Sequence, residues 1–226
     1  MKINFTKIHL ENFLIFKILV TCLDCFIPII ALKIKEHFFN KKLGIKTDVE
    51  PYFLRDNRLL SLYKDKRSYA PTPYNKLEKM ITYLNLNSED VFIDLGSGKG
   101  RVVCFVAMEK LKRVIGIELD KDLVAIAEDN IKNLKINVTP IEIFNLDVVD
   151  FNLGSGTVFF MHNPFGYKTV IKILNNIKNS LRDNYRNICI VYYIPMFRDL
   201  LDNQNWLKCE GEIDNTGIFV WRNGHN

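Results

Sequence analysis

The residues of this chain that are best suited to chemistry are a glycine-rich run and two acids. Asp94 opens the run DLGSGKG, whose glycines are Gly96, Gly98 and Gly100. Glycines at alternate positions allow a sharp turn and a close approach to a ligand, because no Cβ atom stands in the way. Glu118 ends the next apolar run of the chain. The pattern predicts a loop that binds a small ligand between two carboxylates.

The spacing of these residues separates two classes of cofactor-binding loop. A dinucleotide-binding fold usually carries GxGxxG, because the N-terminus of its helix must receive a pyrophosphate. This run reads DxGxGxG, and its leading Asp94 would repel a phosphate while accepting a hydrogen bond from an ammonium or amide group. Glu118 is placed to bind both hydroxyls of a ribose. A P-loop is excluded because GxxxxGK[ST] does not occur, and a dinucleotide oxidoreductase is disfavoured.

The elements that must position these residues follow from the pattern beyond about residue 70, where short apolar runs alternate with longer amphipathic ones. Strands that alternate with helices predict a parallel sheet covered on both faces. The turn signal DNTG at residues 214–217 predicts a terminal hairpin that adds an antiparallel strand. The predicted strands are 91–95, 113–119, 141–146, 157–162, 187–194, 207–213 and 218–221, and the predicted helices are 77–84, 101–111, 121–134, 170–181 and 197–201.

At this point the glycine loop and the two acids strongly resemble those of the class I S-adenosylmethionine-dependent methyltransferases, over roughly residues 70–226. The resemblance implies an α/β, Rossmann-like fold with strand order 3-2-1-4-5-7-6 and strand 7 antiparallel. It implies S-adenosyl-L-methionine as the cofactor, no metal, and the aminopropyl-carboxylate end of the cofactor lying over the glycine loop. The cofactor-binding residues implied by the loop and the acids are Asp94, Gly96, Ser97, Gly98, Gly100 and Glu118.

Further cofactor contacts are implied by the same resemblance. Asp147 follows the third strand, where such enzymes present an acid to the adenine amino group, and Val148 would pack on the ring. Asp150 is an alternative to Asp147 for that role. Upstream, the run YAPTPY before the first helix looks like that of small non-SET lysine methyltransferases of archaeal and mitochondrial type, and of many bacterial class I methyltransferases. Tyr69 and Thr72 would then close over the cofactor from above.

The methyl acceptor is expected to meet residues that follow the fourth strand. Asn163, Pro164 and Phe165 resemble the [DNS]PP[YF] motif of enzymes that methylate planar or amine nitrogens, although the second proline is absent. In that motif the side-chain oxygen and the next carbonyl accept hydrogen bonds from the target N–H, and the aromatic ring walls the site. The shortened motif is compatible with a lysine or another amine. His162 is interpreted as an interior histidine rather than a base, and Tyr192 as a residue that packs in the sheet.

Three segments are predicted along the chain. Residues 1–45 form an apolar and then basic helical extension, residues 46–70 a linker that acts as a lid over the cofactor, and residues 71–226 the methyltransferase domain. The net charge of +5 comes from residues 31–70, which hold ten Lys or Arg against five acids. We interpret this basic stretch as a solvated segment, with an anionic partner as the alternative. No nucleic-acid-binding signature is present, so nucleic acid is not expected as a partner.

The N-terminal apolar run, residues 13–34, is not expected to span a membrane, because Lys17, Asp24 and Pro28 interrupt it. A helix there would pack on the main domain or on another subunit, with peripheral membrane contact as the alternative. The five cysteines do not form a disulfide scaffold, and the pair Cys22 and Cys25 lacks partners for zinc, so a cytoplasmic location is expected.

The functional hypothesis is methyl transfer from S-adenosyl-L-methionine to an amine nitrogen, with a lysine-like protein acceptor. Asn163, Pro164 and Phe165 are the catalytic candidates, and Asn163 is also a candidate cofactor-binding residue. One alternative is a methyltransferase that acts on a glycan or another small molecule. The other is a catalytically silent subunit that keeps the fold and binds the cofactor.

Overall fold

The structure, a computed structural model, describes residues 31–48 and 69–224. The chain divides into two compact units, residues 1–39 and residues 40–226. Helix α1 covers residues 31–43. Residues 1–30 of the predicted helical extension and the Cys22–Cys25 pair lie outside the described residues, as does most of the predicted lid. Within the described part of the chain, no helix combines the length and the apolar character that crossing a bilayer requires.

Seven strands form one sheet in the order β3-β2-β1-β4-β5-β7-β6. β1 to β5 run parallel, and β7 is antiparallel to both β5 and β6. The predicted strand order, including the antiparallel seventh strand, is therefore confirmed. The strands are β1 Val91–Leu95, β2 Arg113–Glu118, β3 Ile141–Asn145, β4 Val158–Met161, β5 Cys189–Tyr193, β6 Leu207–Glu212 and β7 Ile218–Asn223.

Helices cover the sheet where the amphipathic runs predict them. They are α2 Tyr74–Leu84, α3 Arg101–Val106, α4 Lys121–Asn133, α5 Tyr167–Asp183 and α6 Arg198–Asp202, and Val148–Asp150 forms one turn of 3₁₀ helix. α5 shows the principle, because Val170, Ile173, Leu174 and Ile177 lie at helical spacing and are all buried. They pack on the buried side chains of β1, β4 and β5.

α3 is shorter than predicted, since it ends at Val106 and not at residue 111. The carbonyl of Ala107 accepts hydrogen bonds from the amides of Val138 and Thr139, at 3.0 and 3.2 Å. These contacts with the chain before β3 satisfy a carbonyl that a longer helix would have used internally. A tertiary contact of this kind leaves no local signal in the apolar pattern, so the sequence predicts a helix that extends too far.

The sheet topology brings the chemically interesting loops together. β1 lies between β2 and β4, so the chain connections on its two sides leave in opposite directions. In open α/β sheets a ligand crevice forms at the carboxyl ends of the strands at such a reversal. The loops after β1, β2, β3 and β4 carry the glycine run, Glu118, Asp147 and Asn163 respectively.

Candidate active site

A cavity of about 370 Å³ opens at the carboxyl ends of the parallel strands. All but one of the predicted site residues line it, and they come from five separate stretches of the chain. The predicted residues in its wall are Tyr69, Thr72, Asp94, Gly96, Ser97, Gly98, Glu118, Asp147, Val148, Asn163, Pro164 and Phe165. Gly100 does not line the cavity. Its backbone stands at φ +79° where α3 begins, and a Cβ there would come 3.1 Å from the Cβ of Ala127 on α4.

The glycine loop adopts a conformation that only glycine accepts without strain. Gly96 and Gly98 have φ values of +85° and +54°, in the left-handed region. A Cβ on Gly96 would lie 2.7 Å from Pro164, and one on Gly98 would lie 2.5 Å from the ring of Tyr69. The loop is therefore closely covered by two of the predicted site residues. The hydroxyl of Ser97 is buried without a hydrogen-bond partner among the described residues.

Asp94 is 2% exposed near the end of β1. Burial raises the pKa of its carboxyl well above the ordinary value, and the nearby charge of Glu118 raises it further. A buried carboxylate is stabilised when a cationic group binds next to it. The site therefore favours a ligand that brings a positive charge to Asp94, such as the ammonium group of an amino acid.

Glu118 is held by two backbone amides. Its Oε2 accepts a hydrogen bond from the Gly98 amide and its Oε1 accepts one from the Asp120 amide, both at 2.9 Å. A carboxylate has about four acceptor positions, so lone pairs remain on both oxygens. The side chain is oriented before a ligand arrives and can still accept hydrogen bonds from two neighbouring hydroxyls.

The loop after β3 forms the next part of the wall. Asp147 caps the 3₁₀ turn, since its Oδ1 accepts a hydrogen bond from the Val149 amide at 3.1 Å. Val148 is 4% exposed and lies in the cavity wall beside it. Asp150, the alternative acid, is not among the lining residues. Between the two acids, the geometry brings only Asp147 to the cavity.

Asn163 ends the fourth strand region with φ +47°, a conformation that asparagine tolerates better than most residues. Its Oδ1 accepts a hydrogen bond from the hydroxyl of Tyr192 at 3.0 Å. Tyr192 is fully buried in β5, as its predicted packing role requires. Its contact with Asn163 was not predicted, because the two residues lie on different strands. The carbonyl-type oxygen of Asn163 keeps a second lone pair for another donor.

His162 also lines the cavity. Its Nδ1 lies 3.1 Å from the hydroxyl oxygen of Thr72, and the ring makes a backbone hydrogen bond with Ala70. Burial lowers the pKa of His162 to about 4, so the ring is neutral at pH 7. Both contacts fasten the segment around Thr72 to the end of β4, which agrees with the interpretation of His162 as an interior histidine.

Arg101 is the lining residue that sequence reasoning missed as a site residue. It is 3% exposed, and its guanidinium donates to the Thr72 carbonyl and to the side chain and carbonyl of Thr47. Its position could have indicated a site residue, because Arg101 directly follows the last glycine of the loop and is the first residue of α3. Arg101 and Asp94 thus place a guanidinium group and a carboxyl group, both buried, in the cavity wall.

These residues fit S-adenosyl-L-methionine. The amino-acid end of that molecule carries an ammonium and a carboxylate, and its nucleoside carries two ribose hydroxyls and an adenine. Asp94 and Arg101 match the charged groups, Glu118 the hydroxyls, and Asp147 with Val148 the adenine. The glycine loop gives the close approach that a side chain would prevent.

Comparison with known proteins agrees with this fit. The chain is 33% identical over 122 residues to a protein of Dictyostelium discoideum named histone-lysine N-methyltransferase, H3 lysine-79 specific, which covers 48% of this chain and 7% of that protein. It is 29% identical over 65 residues to a protein-lysine N-methyltransferase of Saccharolobus islandicus, covering 28% of this chain and 40% of that protein. The chain thus spans a minor part of the curated relatives that it matches.

Among solved structures, the fold resembles a putative S-adenosyl-L-methionine-dependent methyltransferase of Methanococcus maripaludis. The TM-score is 0.53 at 16% identity, with 66% of this chain and 84% of that chain covered. This likeness supports the fold. The family model described as histone methylation protein DOT1 matches residues 54–176, which is 123 of the 226 residues. The match confirms the predicted class I methyltransferase and S-adenosyl-L-methionine as its cofactor, and the chain belongs to the DOT1 histone methylation family.

Proposed function

We propose that this protein transfers a methyl group from S-adenosyl-L-methionine to the amine nitrogen of a lysine side chain in a protein. The observation that carries the proposal is a single cavity that joins the glycine loop and both acids to Asn163 and Phe165. The family description and the name of the Dictyostelium relative, a histone-lysine N-methyltransferase, support the choice of acceptor.

When bound, S-adenosyl-L-methionine supplies an activated methyl group on a sulfonium, and no covalent bond to the protein is needed. The protein contributes position and the exclusion of water. Asp94 binds the amino-acid end of the donor and Glu118 binds its ribose, while Tyr69 and Thr72 cover it. Asn163 accepts a hydrogen bond from the acceptor N–H and so orients the nitrogen lone pair. Phe165 and Pro164 form the wall beside it.

The acceptor amine must be neutral to act as a nucleophile. His162 is poorly suited to take its proton, because the pKa of the ring is lowered to about 4 and the ring already bonds Thr72 and Ala70. We therefore assign His162 to holding the wall of the cavity, and Asn163 to orienting an amine that arrives without its proton.

The test is methyl transfer by the purified full chain, with isotope-labelled donor and an unfractionated whole-cell extract as the source of acceptors. We expect label in protein, on lysine residues identified by mass spectrometry. Asp94→Ala should abolish donor binding measured by calorimetry, and Asn163→Ala should leave donor binding intact while lowering turnover.

The outcomes separate the parts of the proposal. Label confined to RNA, lipid or small molecules would contradict the lysine acceptor and leave methyl transfer standing. Failure of the wild-type chain to bind S-adenosylhomocysteine would contradict the proposal as a whole. Wild-type affinity in the Asp94→Ala variant would contradict the assignment of that residue.

We also propose that the protein works in the cytoplasm, where cysteines remain reduced. Cell fractionation with an antibody to the chain tests this. Recovery in the soluble fraction is expected, and recovery in the membrane fraction would favour the peripheral membrane contact considered for the N-terminal helix.

A further inference from the structure

Residues 40–48, here called the strap, bond to residues of the cavity wall through one buried residue. Thr47 is 0% exposed. Its hydroxyl donates a hydrogen bond to Oδ1 of Asn40 at 2.8 Å and accepts one from Nε of Arg101 at 2.7 Å. Its carbonyl accepts hydrogen bonds from the hydroxyl of Tyr69 at 2.8 Å and from Nη2 of Arg101 at 3.3 Å.

Of the three residues that bond Thr47, Tyr69 and Arg101 line the cavity, whereas Asn40 and Thr47 itself do not. The ring of Tyr69 lies over Gly98, where a Cβ would come within 2.5 Å of it. Burial raises the pKa of the Tyr69 phenol, so at neutral pH the hydroxyl remains a donor to Thr47. Arg101 packs its guanidinium 4.6 Å from the centre of the Tyr74 ring. Thr47 is therefore hydrogen-bonded to Tyr69, which covers the glycine loop, and to Arg101, which follows the loop in the sequence.

The strap is itself fixed to the domain at several points. Asn130 on α4 accepts from the Lys46 amide at 2.7 Å and donates to the carbonyls of Lys46 and Lys99. The hydroxyl of Tyr74 donates to Oδ1 of Asn40 at 2.6 Å. Leu43 and Ile45 are 0% and 3% exposed, so apolar burial adds to the polar contacts. The strap is thus anchored on α2, on α4 and on the glycine loop.

We infer that Thr47 is a positioning residue for the methyl donor, which holds Tyr69 and Arg101 against the glycine loop at the amino-acid end of the cavity. The inference rests on the proposed function. It assigns a role to the strap, which the sequence-based prediction splits between the extension (residues 1–45) and the lid (residues 46–70). Thr47→Val keeps the shape of threonine but removes the hydroxyl bonds to Arg101 and Asn40. Oδ1 of Asn40 keeps the bond from Tyr74, whereas Nε of Arg101 loses its bond to the Thr47 hydroxyl, which is costly in a buried site because the guanidinium is charged.

The experiment compares Thr47→Val and Thr47→Ser with a matched control. Thr139→Val is the control because Thr139 is also buried, at 1% exposure, and its hydroxyl accepts from the Leu111 amide and donates to the Glu109 carbonyl. It comes just before β3 and so lies at the amino-terminal ends of the parallel strands, whereas the cavity lies at their carboxyl ends. Thermal unfolding first identifies a temperature at which every variant is folded. Calorimetry then gives the affinity for S-adenosylhomocysteine and for methylthioadenosine, which lacks the amino-acid end.

We expect Thr47→Val to weaken S-adenosylhomocysteine about tenfold, as loss of a hydrogen bond to a charged group predicts, and to leave methylthioadenosine binding unchanged. Thr47→Ser restores the hydroxyl and with it the affinity. Thr139→Val lowers the melting temperature without changing either affinity. Wild-type affinity in Thr47→Val, equal weakening of both ligands, or an equal loss in Thr139→Val would each overturn the inference. Failure of the wild-type chain to bind either ligand would instead contradict the proposed function.

Discussion

At the scale of single residues, the polar side chains of the cavity are oriented by protein hydrogen bonds that involve no ligand. Two amides hold Glu118, and a tyrosine hydroxyl holds Asn163. Glu118 was predictable, because its place after an apolar strand is a local property of the sequence. Tyr192 was not, because 29 residues separate it from Asn163 and its own neighbours are all apolar or aromatic.

This contact leads to a prediction for Tyr192→Phe. The ring keeps its packing while the hydrogen bond to Asn163 is lost, so Asn163 becomes free to rotate. We expect kcat to fall about tenfold, the worth of a well-placed hydrogen bond, with an unchanged KM for the donor. Steady-state kinetics measure both constants. Tyr83→Phe, which loses an exposed 3.3 Å contact with Glu210, is the control, and an equal loss of kcat in both variants would contradict the role of Tyr192.

His162 gives a prediction for the pH dependence of stability. The pKa of its ring is about 4 in the folded chain and 6.5 as an ordinary histidine. Between these values the unfolded state binds more protons, so the contribution of His162 is complete above pH 6.5 and is lost as the pH falls toward 4. Over that window the wild-type chain should lose roughly 3 kcal/mol more of its free energy of unfolding than His162→Asn does.

Denaturant unfolding of both chains at a series of pH values measures this difference. Taking the difference between the two chains removes the contribution of other titrating groups, including Asp94. If the two stability curves run parallel between pH 6.5 and 4, the result would contradict the burial of a neutral His162 in the folded chain.

At the scale of elements, most helices and strands were predictable because their apolar residues recur at local spacings. The five buried residues of β1 and the buried stripe of α5 are examples. Errors occur where a distant part of the chain intervenes. The carbonyl of Ala107 bonds the chain before β3 and ends α3 early, and the strap docks on α4 through Asn130.

The loop between β1 and α3 allows a matched pair of substitutions. Gly98→Ala places a methyl group at φ +54° against the ring of Tyr69, whereas Gly211→Ala places one at φ +110° with no atom within 4 Å. Both should lose stability through backbone strain, by roughly 1–2 kcal/mol. Only Gly98→Ala should also displace Tyr69 and weaken binding of S-adenosylhomocysteine. Equal donor affinities for the two variants by calorimetry would contradict the close packing of Tyr69 on the loop.

At the scale of the whole molecule, the strand order was predictable only through the resemblance to a known fold, because periodicity along a chain does not report which strands are neighbours. The family match extends to residue 176 and so covers the donor loops and Asn163. It begins at residue 54, after the strap. The 54-residue separation between Thr47 and Arg101 explains why no sequence pattern announces their contact.

Two shortened chains test how much the strap contributes to the stability and the ligand affinity of the whole molecule. A chain that begins at residue 31 keeps the strap, and we expect its melting temperature and its affinity for S-adenosylhomocysteine to match those of the full chain. A chain that begins at residue 49 lacks Leu43, Ile45 and Thr47, whose apolar members each contribute about 1.5–3 kcal/mol when buried. It should melt earlier and bind the donor more weakly. Equal values for the two shortened chains would contradict an anchored strap.

The order of the strands also has a consequence for how such an enzyme diversifies. Under the proposed assignment, donor recognition rests on the ends of β1, β2 and β3, while Asn163 and the tyrosine that bonds it stand on β4 and β5. The two tasks would then belong to opposite halves of one sheet. Substitutions in the loops of the second half could change the methyl acceptor while the residues proposed to bind the donor stay the same.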